Sequence, residues 1–330
     1  MLRICLSVVA ACSLVVAPAA AAAEPRLTVP RWRMPQTLQC YGPVGKEVPA
    51  PILFAPGTGS DGSRVLLLGG GAFTAMGRTL CTISFPRRTT ADLQVSVEYL
   101  VYAIRRLSRQ AGRPISVAGI SQGGLLIRVA LTYWPSLRRQ VADAVTAAAT
   151  HHGSRGTAET TVACLTRGCP PALWQQRTGS AFLRALNRDR DETPGRTSYT
   201  TVRSASDEVV RPQAGPRPTS ALEGAANILI QDVCPGRATT HLGTAVDSVT
   251  IAALADAVRH PGPAKVSRLP ADVCTHPYGT GLDEARTSAF LAAASQLFSL
   301  GGDLPVVRAE PPVRSWMKRP SPPTRREGER

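Results

Sequence analysis

The chain has 330 residues, 43% of them hydrophobic and 18% charged, and a formal net charge of +15 carried almost entirely by arginine. That length gives enough interior to bury most of the apolar surface, and a single domain is expected. The basic residues are dispersed and seldom interleaved with aromatics, which argues against nucleic-acid recognition and leaves a nonspecific attraction to anionic walls, lipid surfaces or acidic matrices.

Residues 1–23 carry Arg3, a short apolar run and small residues ending Ala21-Ala22-Ala23. This is the pattern of a secretory signal cleaved near Ala23; a membrane anchor fits less well, because no basic stop follows the apolar run. Export would remove Cys5 and Cys12 and leave Cys40, Cys81, Cys164, Cys169, Cys234 and Cys274. In an oxidising compartment an even set reads as disulfides, although sequence alone does not fix their pairing. No other stretch is long and apolar enough to span a bilayer, so a secreted, monomeric protein without stable membrane insertion is expected.

Residues 24–50 read as irregular. Pro51-Ile52-Leu53-Phe54-Ala55 is a compact strand ended by the turn Pro56-Gly57-Thr58-Gly59. The segment 64–80 is ambiguous, because Val65-Leu66-Leu67-Leu68 suits a strand while the whole suits a helix weakened by Gly69, Gly70 and Gly71. Cys81 to Phe85 gives another strand. Residues 91–109 form the clearest helix, with Leu93, Val97, Leu100, Val101, Ile104 and Leu107 on one face. A strand at Ile115 to Ile120, an apolar helix after it and a strand at Val141 to Ala149 follow. The stretch 153–173 turns polar and loop-like. Tyr199 to Arg203 and Asn227 to Ile230 are short strands, Ile251, Leu254 and Val258 mark a helix, and another covers 282–299. Strands alternating with helices predict an α/β class with a mainly parallel sheet covered on both faces and chemistry at the strand ends. Residues 309–330, rich in proline and arginine, read as a disordered tail, so the folded domain is expected over 24–308.

At 119–123 the chain reads Gly119-Ile120-Ser121-Gln122-Gly123, between the apolar strand and the apolar helix. Strand, G-x-S-x-G and helix form the nucleophile elbow of the α/β-hydrolase fold, in which a sharp turn lifts the serine hydroxyl above the sheet. A serine needs a base to take its proton and a carboxylate to orient that base, and in this fold the chain order is serine, acid, histidine. The histidines beyond a plausible acid are His241, His260 and His276. His241 lies after a strand and before a helix, where a strand-end base belongs; His260 ends a helix before Pro261, and His276 sits near Cys274 in a turn-rich stretch. For the acid, Asp207 follows the β-prone run at 199–203, ahead of Glu208 and Asp232.

The chain also resembles the Candida antarctica lipase B type of lipase and its secreted actinobacterial relatives. The resemblance is carried by PILFAPGTGS at 51–60, GISQGG at 119–124, LWQQRTGSAF at 173–182, SASDEVVRPQ at 204–213 and TTHLGT at 239–244. It implies Ser121 as nucleophile, Asp207 as acid, His241 as base, Thr58 and Gln122 as the oxyanion hole, and Gln176 in the substrate pocket. It also implies Cys40–Cys81 and Cys234–Cys274 disulfides, each closing a loop of about forty residues and worth roughly 4 kcal/mol in the chain-entropy picture. Cys164 and Cys169 are an addition whose pairing would staple a small loop. His151 and His152 stand where the fungal enzyme carries an aspartate; lining the entrance is one role for them, and zinc binding with the cysteine pair is disfavoured for want of ligand spacing. No metal or cofactor is expected. The resulting expectation is a secreted serine ester hydrolase acting on lipid-like esters. The alternatives are an acyltransferase using the same residues and a non-catalytic surface-binding protein.

Overall fold

Seven strands form one sheet in the computed structural model, which describes residues 24–156, 158–189, 191–297 and 306–318. The expected signal segment, 1–23, and the end of the tail, 319–330, lie outside the described residues. The strands are β1 (Leu38–Tyr41), β2 (Ile52–Ala55), β3 (Leu80–Ile83), β4 (Ile115–Ile120), β5 (Val141–Ala147), β6 (Ser198–Arg203) and β7 (Ala226–Leu229). Their order is β1-β3-β2-β4-β5-β6-β7, and every pair is parallel except β1 with β3. The expected mainly parallel sheet is therefore present. The segment before residue 51, expected to be irregular, contributes β1, whose Cys40 lies opposite Cys81 and is joined to it by a disulfide.

The main helices are α1 (Gly62–Ala75), α2 (Leu93–Ala111), α3 (Gln122–Tyr133), α4 (Ala158–Arg167), α5 (Pro171–Gln175), α6 (Ala181–Leu186), α7 (Ser248–Arg259), α8 (Glu284–Leu297) and α9 (Ser315–Lys318). Their ends follow local chemistry. Asp61 accepts from the N–H groups of Ser63 and Arg64 to start α1, and Gly112 ends α2 at a left-handed φ of 63°. The ambiguous 64–80 segment is thus helix, then strand. Its glycine run has a packing reason at Gly71, where a Cβ would stand 2.0 Å from the Gly281 carbonyl oxygen. The stretch 153–173, expected to be a loop, carries α4 and α5, and Cys164 is bonded to Cys169 at the end of α4.

Helices cover both faces. On one face, Leu100, Ile104 and Leu107 of α2 pack with Leu125, Leu126 and Val129 of α3; on the other, Phe73 of α1 and Leu254 of α7 pack over Ala118, Val145 and Ile228. Strand order reverses across β2, with β3 on one side and β4 on the other, which opens a crevice beyond the carboxyl ends of β2 and β4. Among the described residues no helix is long and apolar enough to cross a membrane.

The tail expected from residue 309 has contacts with the body in its first part. Residues 306–318, composed like a disordered tail, run as a strap over the body. Val307 pairs with Cys169, the Glu310 carboxylate accepts from the Ala181 and Phe182 N–H groups at 2.7 Å, and Arg314 bonds Glu98 at 2.8 Å. The Trp316 ring meets Tyr133 edge-on at 5.0 Å and Trp134 at a tilt at 5.1 Å, and Met317 is fully buried. Composition missed these anchors because prolines and arginines around them outweigh one tryptophan and one methionine.

Candidate active site

Thr58, Ser121 with Gln122, and Asp207 follow the carboxyl ends of β2, β4 and β6, and His241 and Gln176 line the same cavity as Thr58 and Ser121. Ser121 follows β4 directly and has φ 55° and ψ −123°, a left-handed conformation a non-glycine residue rarely adopts. Two glycines permit that turn by close approach. A Cβ on Gly123 would lie 2.0 Å from the Ala55 carbonyl oxygen, and one on Gly119 would lie 2.8 Å from Gly123 C. Ser121 N–H donates to the Ala147 carbonyl at 2.9 Å, tying the turn to the end of β5.

Asp207 lies in the loop after β6 and is 3% exposed. Its Oδ1 accepts from the N–H groups of Val209 and Val210 at 2.9 and 2.8 Å, while Oδ2 faces His241 Nδ1 at 2.8 Å. A carboxylate with those partners can only accept, so the imidazole carries its proton on Nδ1 and turns Nε2 outward as a base. His241 is 4% exposed and shares a cavity with Ser121. Among the described residues no hydrogen bond joins the Ser121 hydroxyl to the ring, a contact of the kind that commonly tightens only with substrate.

Glu208, the rival acid, has a different place. Its Oε2 accepts from the His241 backbone N–H at 2.9 Å and so fixes the chain rather than the ring. Asp232 lies in the short helix Ile230–Val233, and His260 pairs with Asp256 at the end of α7. Gln213, which sequence reasoning left unassigned within the 204–213 motif, reaches Asp207 Oδ2 at 3.5 Å and Ser220 Oγ at 2.7 Å. A buried glutamine has no periodic signature, and only its spacing from the acid hinted at it.

Across the serine from this pair, three polar side chains form one network. Thr58 Oγ1 donates to Gln122 Oε1 at 2.7 Å, and Gln176 Nε2 donates to Thr58 Oγ1 at 3.0 Å and to Gln122 Oε1 at 3.1 Å. Thr150 in turn donates to Gln176 Oε1 at 2.9 Å. Gln176 lines the cavity, and its amide is engaged with Thr58 and Gln122. Gln122 opens α3, so its backbone N–H belongs to the unpaired first turn of a helix and favours negative charge beside Ser121.

His151 and His152 do not line the entrance. His151 is fully buried behind the elbow, its Nε2 3.2 Å from Thr146 Oγ1, and burial, with Arg128 and His152 nearby, holds it well below the ordinary imidazole range. His152 bridges Glu192 at 2.6 Å and the Thr219 carbonyl at 3.1 Å. Cys164 and Cys169 are joined in a disulfide, so they offer no thiolates to a metal. The expected pairs Cys40–Cys81 and Cys234–Cys274 are also present.

The serine, the histidine and the Thr58 network open on a cavity of about 1080 Å³ with mainly apolar walls. A serine held in a strained turn, a carboxylate-oriented imidazole and donors at a helix start are the parts that nucleophilic acyl transfer requires.

Comparison with known proteins agrees with this architecture. The chain is 35% identical over 219 residues to lipase B of Pseudozyma antarctica, an alignment covering 64% of this chain and 62% of that protein. The chain thus spans less than two thirds of the length of that curated relative. Among solved structures it is similar to Aspergillus fumigatus lipase B, with a TM-score of 0.80 and 27% identity over 92% of this chain and 75% of the other. No family model matches.

Proposed function

We propose that this chain, which has the α/β-hydrolase fold and resembles lipase B in sequence and structure, is an exported carboxylic ester hydrolase. Ser121 Oγ attacks the ester carbonyl while His241 Nε2 takes its proton, and Asp207 balances the imidazolium that forms. The oxyanion is held by the Gln122 N–H and by the Thr58 hydroxyl, which turns its one proton from Gln122 Oε1 onto the oxyanion. His241 then protonates the departing alcohol, and water, deprotonated by the same ring, hydrolyses the acyl-enzyme.

The reading rests above all on the sharing of one cavity by a strained Ser121 and by His241, whose ring Asp207 bonds from behind at 2.8 Å. The apolar walls favour lipid-like esters, and three disulfides among the described residues favour an oxidising, extracytoplasmic setting. Hydrolysis of p-nitrophenyl butyrate by wild type and by Ser121→Ala tests it. The variant is expected to lose at least a thousandfold in kcat with its melting temperature intact; equal rates would remove Ser121 from the chemistry.

A further inference from the structure

The loop that carries Thr58 has a glycine on each side of it. Gly59 stands at φ 79°, and a Cβ on Gly57 would lie 3.1 Å from Ser121 Cβ, so the loop runs against the nucleophile. Within the loop, the Ser60 N–H donates to the Gly57 carbonyl at 3.2 Å. Because β2 and β3 are parallel neighbours, the segments that follow them share one edge of the sheet. The turn after β3 therefore lies beside Thr58.

That turn has an unusual backbone. Arg87, Arg88 and Thr89 follow one another at positive φ, 54°, 51° and 62°. Three such residues in a row, none of them glycine, cost free energy, and a β-branched one is the least suited of all. Glycine or asparagine would take that conformation more easily, so the backbone alone does not account for a threonine at 89. Its contacts do. Thr89 is fully buried, and its hydroxyl stands 2.6 Å from the Gly57 carbonyl oxygen and 2.5 Å from that of Arg88, with one proton to share between them. The Arg88 carbonyl in turn accepts from the Gly59 N–H at 3.0 Å. These bonds land on the two peptide groups that flank Thr58. In a planar trans peptide the carbonyl and the next N–H point opposite ways, so holding the Gly57 oxygen also sets the direction of the Thr58 N–H. The turn is itself tied down: the Ala172 N–H donates to the Thr90 carbonyl at 3.3 Å, and the Gln175 amide bonds the Leu93 N–H at 2.8 Å and Asp92 at 2.6 Å. Gln175 precedes Gln176, which donates to the Thr58 hydroxyl.

We infer that Thr89 is a positioning residue for the oxyanion hole: its hydroxyl, carried by the strained turn 87–89, fixes the backbone on both sides of Thr58 against Ser121. This rests on Ser121 as nucleophile and Thr58 as an oxyanion donor, and it adds a residue outside the motifs that marked the site. The oxyanion exists only after attack, so a loosened loop lowers turnover and leaves binding of the ester unchanged.

The test compares wild type with Thr89→Val and Thr89→Ala, which lack the hydroxyl and differ in β-branching, and with Thr89→Ser, which keeps it. On p-nitrophenyl butyrate, kcat is expected to fall about tenfold in the first two with KM within about twofold of wild type, and to stay within about threefold in Thr89→Ser. Decyl trifluoromethyl ketone supplies a stable oxyanion: its carbonyl carbon takes the Ser121 oxygen, the serine proton passes to His241 and the ketone oxygen becomes the anion. Its affinity should weaken by the same factor as kcat/KM. Amide hydrogen exchange at Gly59, followed by NMR without substrate, supplies a readout independent of catalysis and is expected to quicken about tenfold in Thr89→Val and Thr89→Ala. Wild-type kcat and ketone affinity in both variants would overturn the inference while leaving the nucleophile in place, and so would a loss in Thr89→Ser equal to theirs. A wild type that hydrolysed no ester would instead strike the reading of Ser121, and the Gly59 exchange would still decide whether residue 89 holds the loop.

Discussion

At the scale of single residues, Ser121 and its neighbours read directly from the sequence because each obeys a local rule. The glycines at 119 and 123 answer to backbone clashes of 2.8 Å and 2.0 Å, and the serine–acid–histidine order follows from chain topology. Gln176 was legible only as a wall of the pocket, because its hydrogen bonds run to residues 54 and 118 positions away in sequence. The geometry makes it a positioning residue for Thr58. Gln176→Ala is expected to lower kcat about tenfold with little change in KM, and Thr58→Val about a hundredfold. The double variant should be no worse than Thr58→Val alone, since the two act through one hydroxyl. Steady-state kinetics on a soluble ester check this, and additive losses would place Gln176 on the substrate instead.

At the scale of elements, the strands and the long helices announced themselves through apolar runs and periodicity. The exceptions have physical causes. β1 is an edge strand only partly covered, so it carries no continuous apolar run, and α4 is a helix of 10 residues that opens on the polar run Glu159-Thr160-Thr161. The ends of the strands away from the site carry a separate consequence. Ser116 of β4 donates to Asp143 of β5 at 2.9 Å, yet burial pushes the Asp143 carboxyl up to about 6 against the pull of Ser116 and Arg78. A carboxyl raised in the folded state contributes most below its unfolded value of 3.8, and that contribution is lost as pH rises through about 6. Asp143→Asn is therefore expected to stabilise the fold by about 2 kcal/mol near pH 8 and by almost nothing near pH 3. Denaturant melts at the two pH values check the sign, and a loss of stability at the higher pH would contradict it.

At the scale of the whole molecule, the two ends of the described chain meet on one helix. Glu98 of α2 accepts from the backbone N–H groups of Thr28 and Val29 and pairs with Arg314, so the first residues and the strap close over the same carboxylate. Sequence could not show this, because 216 positions separate Glu98 from Arg314. Trp316→Ala should cost about 2 kcal/mol through loss of the ring contacts with Tyr133 and Trp134, read as a lower melting temperature, while kcat per active site stays within twofold because those rings lie at the end of α3 away from Ser121. A melting temperature equal to wild type would show that the strap does not anchor the body. The central claim, that the fold converges on Ser121 with the Asp207–His241 pair, has one most direct measurement: reaction with an alkyl p-nitrophenyl phosphonate, followed by peptide mapping of the adduct. The account predicts a single adduct on Ser121 that forms at least a hundredfold more slowly in His241→Ala. An unmodified Ser121, or an adduct whose rate ignores residue 241, would contradict it.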